Sequence, residues 1–231
     1  MDDIQRIARV SRALNESEVA WWADHGTLLG LIREGRLLPW DHDIDLSLHG
    51  GELDSAFRAI QEIKPFLHAH LVRTARNIKI LPYDGSGRVV DIGAYFPGEG
   101  GHLEKTLIMF PRTEGLSFGA YRRFAWRQAR RVEWMLRKVG PFFSDTPGVR
   151  SLFGALHLWA FCRITHFREG FGVEAVSRVP SKYLAERGTL DWHELALPIP
   201  AAPSAYLRYR YGADWTVPRR SWSWWLDDQS I

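Results

Sequence analysis

The sequence predicts an α/β (α+β) domain: a small mixed sheet flanked by helices, with a helical insertion in its second half. Three observations predict it. Apolar residues recur at helical spacing in two stretches, Ile4, Ile7, Val10 and Leu14, then Leu53, Phe57, Ile60 and Ile63. Two other stretches, 43–48 and 89–96, alternate so that apolar side chains share one face and isolated acids stand on the other. The chain has 231 residues, long enough for one well-buried domain. Its 45% hydrophobic and 25% charged content is that of a globular protein, which excludes global disorder.

The elements follow in order. The first apolar stripe gives helix one. Residues 18–23, containing Val19-Ala20-Trp21-Trp22-Ala23, give a first strand leading into the turn Gly26-Thr27. Residues 27–33 form a short helix with Thr27 as its cap. Residues 34–40 are a loop in which Pro39 sets up the acidic strand 43–48. Gly50-Gly51 breaks the chain, and the second stripe gives a helix ending at Pro65. Strands are expected over 66–72 and 78–81. A turn, Asp84-Gly85-Ser86-Gly87, then leads to the strand 89–96. Residues 120–170 read as a helical insertion within a single domain, 1–231. Residues 121–139 carry Arg122, Arg123, Arg127, Arg130 and Arg131 among Phe124, Trp126 and Trp134. That helix reads either as a contact to an anionic membrane surface or acceptor, or as a solvated helix with packed stems. The tail is rich in Trp, Tyr and Pro and ends in Trp222-Ser223-Trp224-Trp225. No internal repeat is present.

Composition excludes several classes. One cysteine, Cys162, leaves no internal disulfide framework and no Cys-rich zinc site. A net charge of +3 suits anionic substrates without selecting among them. No nucleic-acid motif accompanies the charge, so no nucleic-acid partner is expected. The first residues, acidic and without an apolar run, do not read as a signal peptide. The most apolar run, 151–167, is too short and too polar to span a bilayer. A cytoplasmic protein, peripheral on a membrane at most, is expected.

The chemistry concentrates in residues 21–48. Asp41, Asp43 and Asp45 alternate with Ile44, Leu46 and Leu48, so the carboxylates share one face about 7 Å apart along the strand. Carboxylates that close repel unless a cation neutralises them. Hard oxygen ligands suit Mg2+ or Mn2+, which bridge phosphate oxygens. A helix opening at Gly26-Thr27 offers bare N–H groups to an anion. Together these are the equipment of a nucleotide-handling transferase. Asp41, Asp43, Asp45 and Glu52 also stand at positions 1, 3, 5 and 12 of a calcium loop, but Leu46 occupies the position that calls for glycine. Asp91 repeats the pattern of one acid on an apolar strand. His42 points away from the acids, and His102 falls in a loop; both read as structural.

The same residues carry a family resemblance. Gly26-Thr27-Leu28-Leu29-Gly30, Arg33 and Pro39-Trp40-Asp41-His42-Asp43-Ile44-Asp45 resemble the signature of the LicD/fukutin-type transferases, with His42 where that family more often has Asp. Near the C-terminus, Pro198-Ile199-Pro200, Tyr206-Leu207, Tyr211-Gly212-Ala213-Asp214-Trp215 and Pro218 are similar to the pattern that closes the family's domain. The resemblance covers about 4–96 and 190–220. It implies a nucleotidyltransferase-type fold, with Asp43, Asp45 and, on a neighbouring strand, Asp91 as metal ligands and catalytic residues. It implies contacts to the nucleotide or substrate from Gly26, Thr27, Gly30, Arg33, Trp40 and Asp41. Tyr211, Gly212 and Trp215 are expected to pack the domain's end against the active-site wall. The implied activity is transfer of a phospho-alcohol (phosphocholine, ribitol phosphate or glycerol phosphate) from a CDP-linked donor to a hydroxyl of a glycan or glycolipid, as in cell-surface polysaccharide or lipopolysaccharide decoration. Two alternatives stand beside it: a nucleotidyltransferase moving NMP from an NTP, and a non-catalytic membrane-associated binding module.

Overall fold

A computed structural model describes residues 1–41, 43–73, 76–83, 87–108, 174–219 and 227–230. His42, Cys162, the basic helix of 121–139, the insertion of 120–170 and the Trp222–Trp225 tail lie outside the described residues.

Helix α1, Asp3–Glu16, opens with a capping box: the Asp2 side chain accepts from the Gln5 backbone N–H, and the Gln5 side chain accepts from that of Asp2. Its stripe, Ile7, Val10 and Leu14, is buried. Strand β1, Trp21–Ala23, runs into α2, His25–Glu34. Strand β2, Asp43–His49, is followed by a 3-10 turn, Gly50–Glu52, and α3, Leu53–Leu67. Then come β3, Ala69–Arg73, β4, Asn77–Pro82, and β5, Val89–Pro97. Five of these strands lie side by side in the order β1-β2-β5-β4-β3. The β2–β5 pair is parallel and the other pairs are antiparallel, so the sheet is mixed. The expected α/β class is what the chain adopts.

Much of the core lies on one face of this sheet. Ile44, Leu46 and Leu48 of β2 and Val90, Ile92 and Ala94 of β5 are all at most 2% exposed. They join Val10 and Leu14 of α1 and Ala56, Phe57 and Ile60 of α3 in one apolar cluster. Burying such side chains contributes roughly 1.5–3 kcal/mol each. The other face of β2 and β5 is thereby left to Asp43, Asp45, Ser47 and Asp91.

The far end of β5 pairs with β6, His102–Ile108, through Phe96 and Glu104; β6 pairs along its length with β7, Glu174–Pro180. A hairpin, β8 (Arg187–Trp192) with β9 (Leu195–Pro200), leads to helix α4, Pro203–Tyr211.

Three expectations are corrected. Helix α2 begins at His25, because Asp24 is its N-cap and accepts from the His25 N–H at 2.8 Å; Thr27 lies inside the helix. Helix α3 runs through Pro65 to Leu67 before His68 takes a left-handed conformation, φ 48°. The proline sits in the last turn, where it removes a single hydrogen bond, and the next strand begins at Ala69 rather than Phe66. His102 starts strand β6 rather than lying in a loop.

Candidate active site

The acidic face is built around Asp45. Its backbone N–H donates to Thr27 Oγ1 at 2.8 Å, and its C=O accepts from the Asp24 N–H at 3.1 Å. Its Oδ2 accepts from the Gly26 N–H at 3.3 Å. The segment 24–27 is thus a clamp on one residue of β2. This corrects the expectation of a bare helix N-terminus. The Gly26 N–H is aimed at a carboxylate, and the Thr27 hydroxyl holds a strand.

Carboxylate oxygens of Asp41, Asp43 and Asp45 lie within 4.8 Å of one another, and each residue is partly buried. That is closer than strand spacing alone gives, because Asp41 precedes β2 and sits in a turn. The Asp41 N–H donates to the Leu38 C=O at 3.1 Å. Arg88 straps this turn: its Nη2 donates to the Leu38 C=O at 2.9 Å and its Nε to the Asp41 C=O at 3.2 Å, while its Nη1 pairs with Asp3 at 2.8 Å. Gly26 is required here. A Cβ on it would stand 2.1 Å from Asp41 Oδ2. The strand geometry of 43–49 removes the calcium-loop reading.

Electrostatics favour a cation at this cluster, which could hold a metal ion. Burial pushes the Asp45 carboxyl well up, and Asp43, Asp41 and Asp91 push it further, against the ammonium of Lys105. A hard divalent ion held by the three carboxylates would relieve the repulsion that raises Asp45. The residues present fit Mg2+ or Mn2+; the geometry does not choose between them.

Asp91 lies directly beside Asp45 in the parallel register of β2 and β5, on the same face. It has its own partners: Lys79 Nζ is 2.8 Å from Oδ2, and Asn77 Nδ2 donates to Oδ1 at 3.2 Å. Burial opposes its charge, but Lys79, Lys105 and these hydrogen bonds outweigh it and hold the carboxyl below the ordinary range. The described three-acid cluster is Asp41/Asp43/Asp45, with Asp91 adjacent and ion-paired.

Lys105 of β6 reaches the same face and was not legible as a site residue. Its Nζ stands 3.0 Å from His25 Nε2 and 3.4 Å from Ser47 Oγ. Behind it is a buried polar network. Asp24 accepts from Tyr206 OH at 2.7 Å and Ser47 Oγ at 2.8 Å, and Arg210 is 3.8 Å away. Arg210 also donates to Tyr206 OH at 3.0 Å and pairs with Asp228. Burial would raise the Asp24 carboxyl, yet His25, Arg210 and Lys105 together hold it far below the usual range.

The other expected contact residues sit elsewhere. A Cβ on Gly30 would meet the Arg36 C=O at 2.6 Å, so this glycine admits the turn after α2. Arg33 is eight residues from His25, about 12 Å along the helix and so at the end away from the acids. Its Nη1 donates to the Trp215 C=O at 3.3 Å and its Nη2 pairs with Glu34 at 2.9 Å. Trp40 is partly buried against the core. In this structure Gly30, Arg33 and Trp40 are packed against these neighbours. The C-terminal pattern reaches the site's rear: Tyr206 bonds Asp24, and Trp215 receives Arg33.

No curated protein matches the chain. Among solved structures, the antibiotic-resistance factor ANT(2'')-Ia is similar at 16% identity and a TM-score of 0.34, over 71% of this chain and 88% of that one. A structure of ANT(2'')-Ia in complex with adenylyl-2''-tobramycin gives 14%, 0.33, 71% and 90%. The fold class rests on the strands and helices above, not on these. Residues 18–79 match the family described as LicD/FKTN/FKRP, nucleotidyltransferase domain, a stretch that contains the clamp of 24–27 and all three clustered acids. Over these residues the chain is similar to the LicD/FKTN/FKRP family.

Proposed function

We propose that the protein is a metal-dependent transferase that moves a phospho-alcohol from a CDP-linked donor to a hydroxyl of a glycan or glycolipid. The observation that carries this reading is the convergence of Asp41, Asp43 and Asp45 within 4.8 Å, inside the stretch that matches the LicD/FKTN/FKRP family. Asp43 and Asp45, with Asp41 beside them, would hold Mg2+ or Mn2+. When bound, such an ion supplies charge neutralisation and orientation of the donor diphosphate. The chain's own residues do the rest. The 24–27 clamp fixes Asp45. Asp91 contributes its charge at the edge of the cluster and receives the acceptor's proton. A carboxylate of low pKa suffices for that. In a loose phosphoryl-transfer transition state the proton leaves late, when the attacking oxygen is already bonding to phosphorus. CMP departs.

No described helix is long and apolar enough to cross a membrane. A cytoplasmic site of action, with peripheral membrane contact through residues outside those described, belongs to the same proposal.

The test is incubation with CDP-choline, CDP-ribitol and CDP-glycerol in Mg2+, with CMP as the readout. CMP formation that stops in chelator supports the reading. Pyrophosphate release from an NTP, with no CMP from any CDP-alcohol, would replace it by nucleotidyl transfer.

A further inference from the structure

Lys105 comes from β6, beyond the residues that match the family. Its stem crosses β5 over Gly93, where a Cβ would stand 2.3 Å from both Lys105 Cε and Nζ. Gly93 is two residues from Asp91 on the same face and lies opposite Ser47 of β2. The glycine therefore opens a channel across the strand, and the lysine uses it to bring its ammonium to the acids.

The partners of that ammonium are neutral. They are His25 Nε2 at 3.0 Å, Ser47 Oγ at 3.4 Å and the Tyr95 ring, 5.5 Å from Nζ to centroid. At neutral pH His25 is uncharged, because burial and then Arg210 and Lys105 hold its imidazole well below the usual range, so Nε2 offers a lone pair, which Arg210 Nη1 also approaches at 3.2 Å. Among the described residues no carboxylate forms an ion pair with Lys105. Lys79 shows the contrast, since its ammonium sits on Asp91 at 2.8 Å. An ammonium has three N–H donors. Lys105 directs two at neutral acceptors, which leaves one for a ligand, and its charge acts on Asp24, Asp45 and Asp91 without an ion-pair contact.

We propose that Lys105 is a phosphate-binding residue of this site, its ammonium holding a non-bridging diphosphate oxygen of the donor beside the metal ion. The inference rests on the reading that a metal-bound diphosphate occupies the acidic face. Lysine binds phosphate as a point charge on a flexible stem, which suits an anchor reaching in from a neighbouring strand. His25 and Ser47 position it without neutralising it.

The test uses the full chain and two probes: Mn2+ alone, followed by electron paramagnetic resonance, and inorganic pyrophosphate in excess Mn2+, followed by calorimetry. In Lys105→Met, Mn2+ affinity should hold or tighten, because a repelling charge beside the acids is gone. Pyrophosphate affinity should fall at least tenfold. Lys105→Gln should show the same pair of opposite effects, which loss of structure cannot produce. Unchanged pyrophosphate affinity overturns the assignment. Loss of both affinities in both variants overturns it too, since Lys105 would then be structural. If the wild-type protein binds pyrophosphate through Lys105 but releases no CMP from any CDP-alcohol, the donor reading fails and the phosphate assignment stands. If the wild-type protein binds no pyrophosphate, both fall.

Discussion

Replacing Asp45 by Asn separates the stability of the clamp from the function of the cluster. The side chains have the same shape. The bonds from Asp24 and to Thr27 use the backbone of residue 45 and survive, and the amide oxygen of Asn can still accept from Gly26. What disappears is one negative charge among Asp41, Asp43 and Asp91. In metal-free protein that charge is unfavourable, since burial and its neighbours raise the carboxyl well above 3.8. A raised folded pKa means that the native state binds the proton more tightly than the unfolded chain. Stability then falls as pH rises from the ordinary carboxylate value through the folded one. Asn does not titrate. Metal-free Asp45→Asn should therefore match or exceed the wild type in stability, with a margin that grows from acid to neutral pH.

Metal reverses the order. A ligand at a hundred times its Kd stabilises by about 2.7 kcal/mol. For a chain of this size that is a rise in Tm of roughly 5–10 °C. The wild type should show such a rise in saturating Mn2+, and Asp45→Asn should show little of it. Turnover to CMP should fall at least about 100-fold, about 2.7 kcal/mol of barrier. The assay is thermal unfolding in chelator and in Mn2+ at acidic and neutral pH, paired with CMP release. A variant less stable than wild type in chelator, or one that keeps the full Mn2+ shift, would refute the reasoning.

Three further outcomes are expected. Gly26→Ala should fold but bind Mn2+ at least tenfold more weakly, because its Cβ would displace Asp41 Oδ2 from 2.1 Å; unchanged affinity in a metal titration would remove Asp41 from the ligand set. Asp24→Asn should cost about 1–3 kcal/mol in urea unfolding at neutral pH, since it removes the buried charge that accepts from Tyr206 and Ser47 and faces Arg210. The depressed Asp24 carboxyl contributes stability that is present above its ordinary pKa and lost on acidification, so the gap between variant and wild type should close as pH falls; a constant gap would place the effect in packing. Lys79→Met should tighten Mn2+ binding several-fold by returning the charge of Asp91 to the cluster, and weaker binding would mean that Asp91 does not face the ion.

The acidic strand and its partner were legible because both obey a local rule. Alternation along 43–48 and 89–96 placed the apolar residues in the core, and the acids were left on the other face with no further information needed. Register was not legible. That Asp45 lies beside Asp91 depends on β2 and β5 being neighbours although α3, β3 and β4 intervene in the chain. The cap of α2 was misplaced because Asp24 and Thr27 are both good N-caps. Only the tertiary position of Asp45 decides that Thr27 has another use. Arg33 was taken toward phosphate on its motif position alone. Its distance along α2 from the acids follows from helix rise once the helix begins at His25.

Lys105 and Arg210 escaped for a deeper reason. Neither has a local signature: one is a lysine in an alternating strand, the other an arginine in Arg208-Tyr209-Arg210. Their meaning arises where β6 and α4 converge on residue 25. His25 takes φ 45°, uncommon for a residue with a Cβ and sustained only where the surroundings over-determine it. Those surroundings are its Nε2 contacts, Lys105 at 3.0 Å and Arg210 at 3.2 Å, together with the cap formed by Asp24. Arg210 is in turn held by Asp228, which accepts from the Ser230 N–H and Oγ. The start of α2, and with it the clamp on Asp45, is therefore set by Lys105 and by residues from the last third of the chain. The matched stretch, 18–79, supplies the acids, but the geometry that makes them converge is completed by Arg88, Lys105 and Arg210, all outside it.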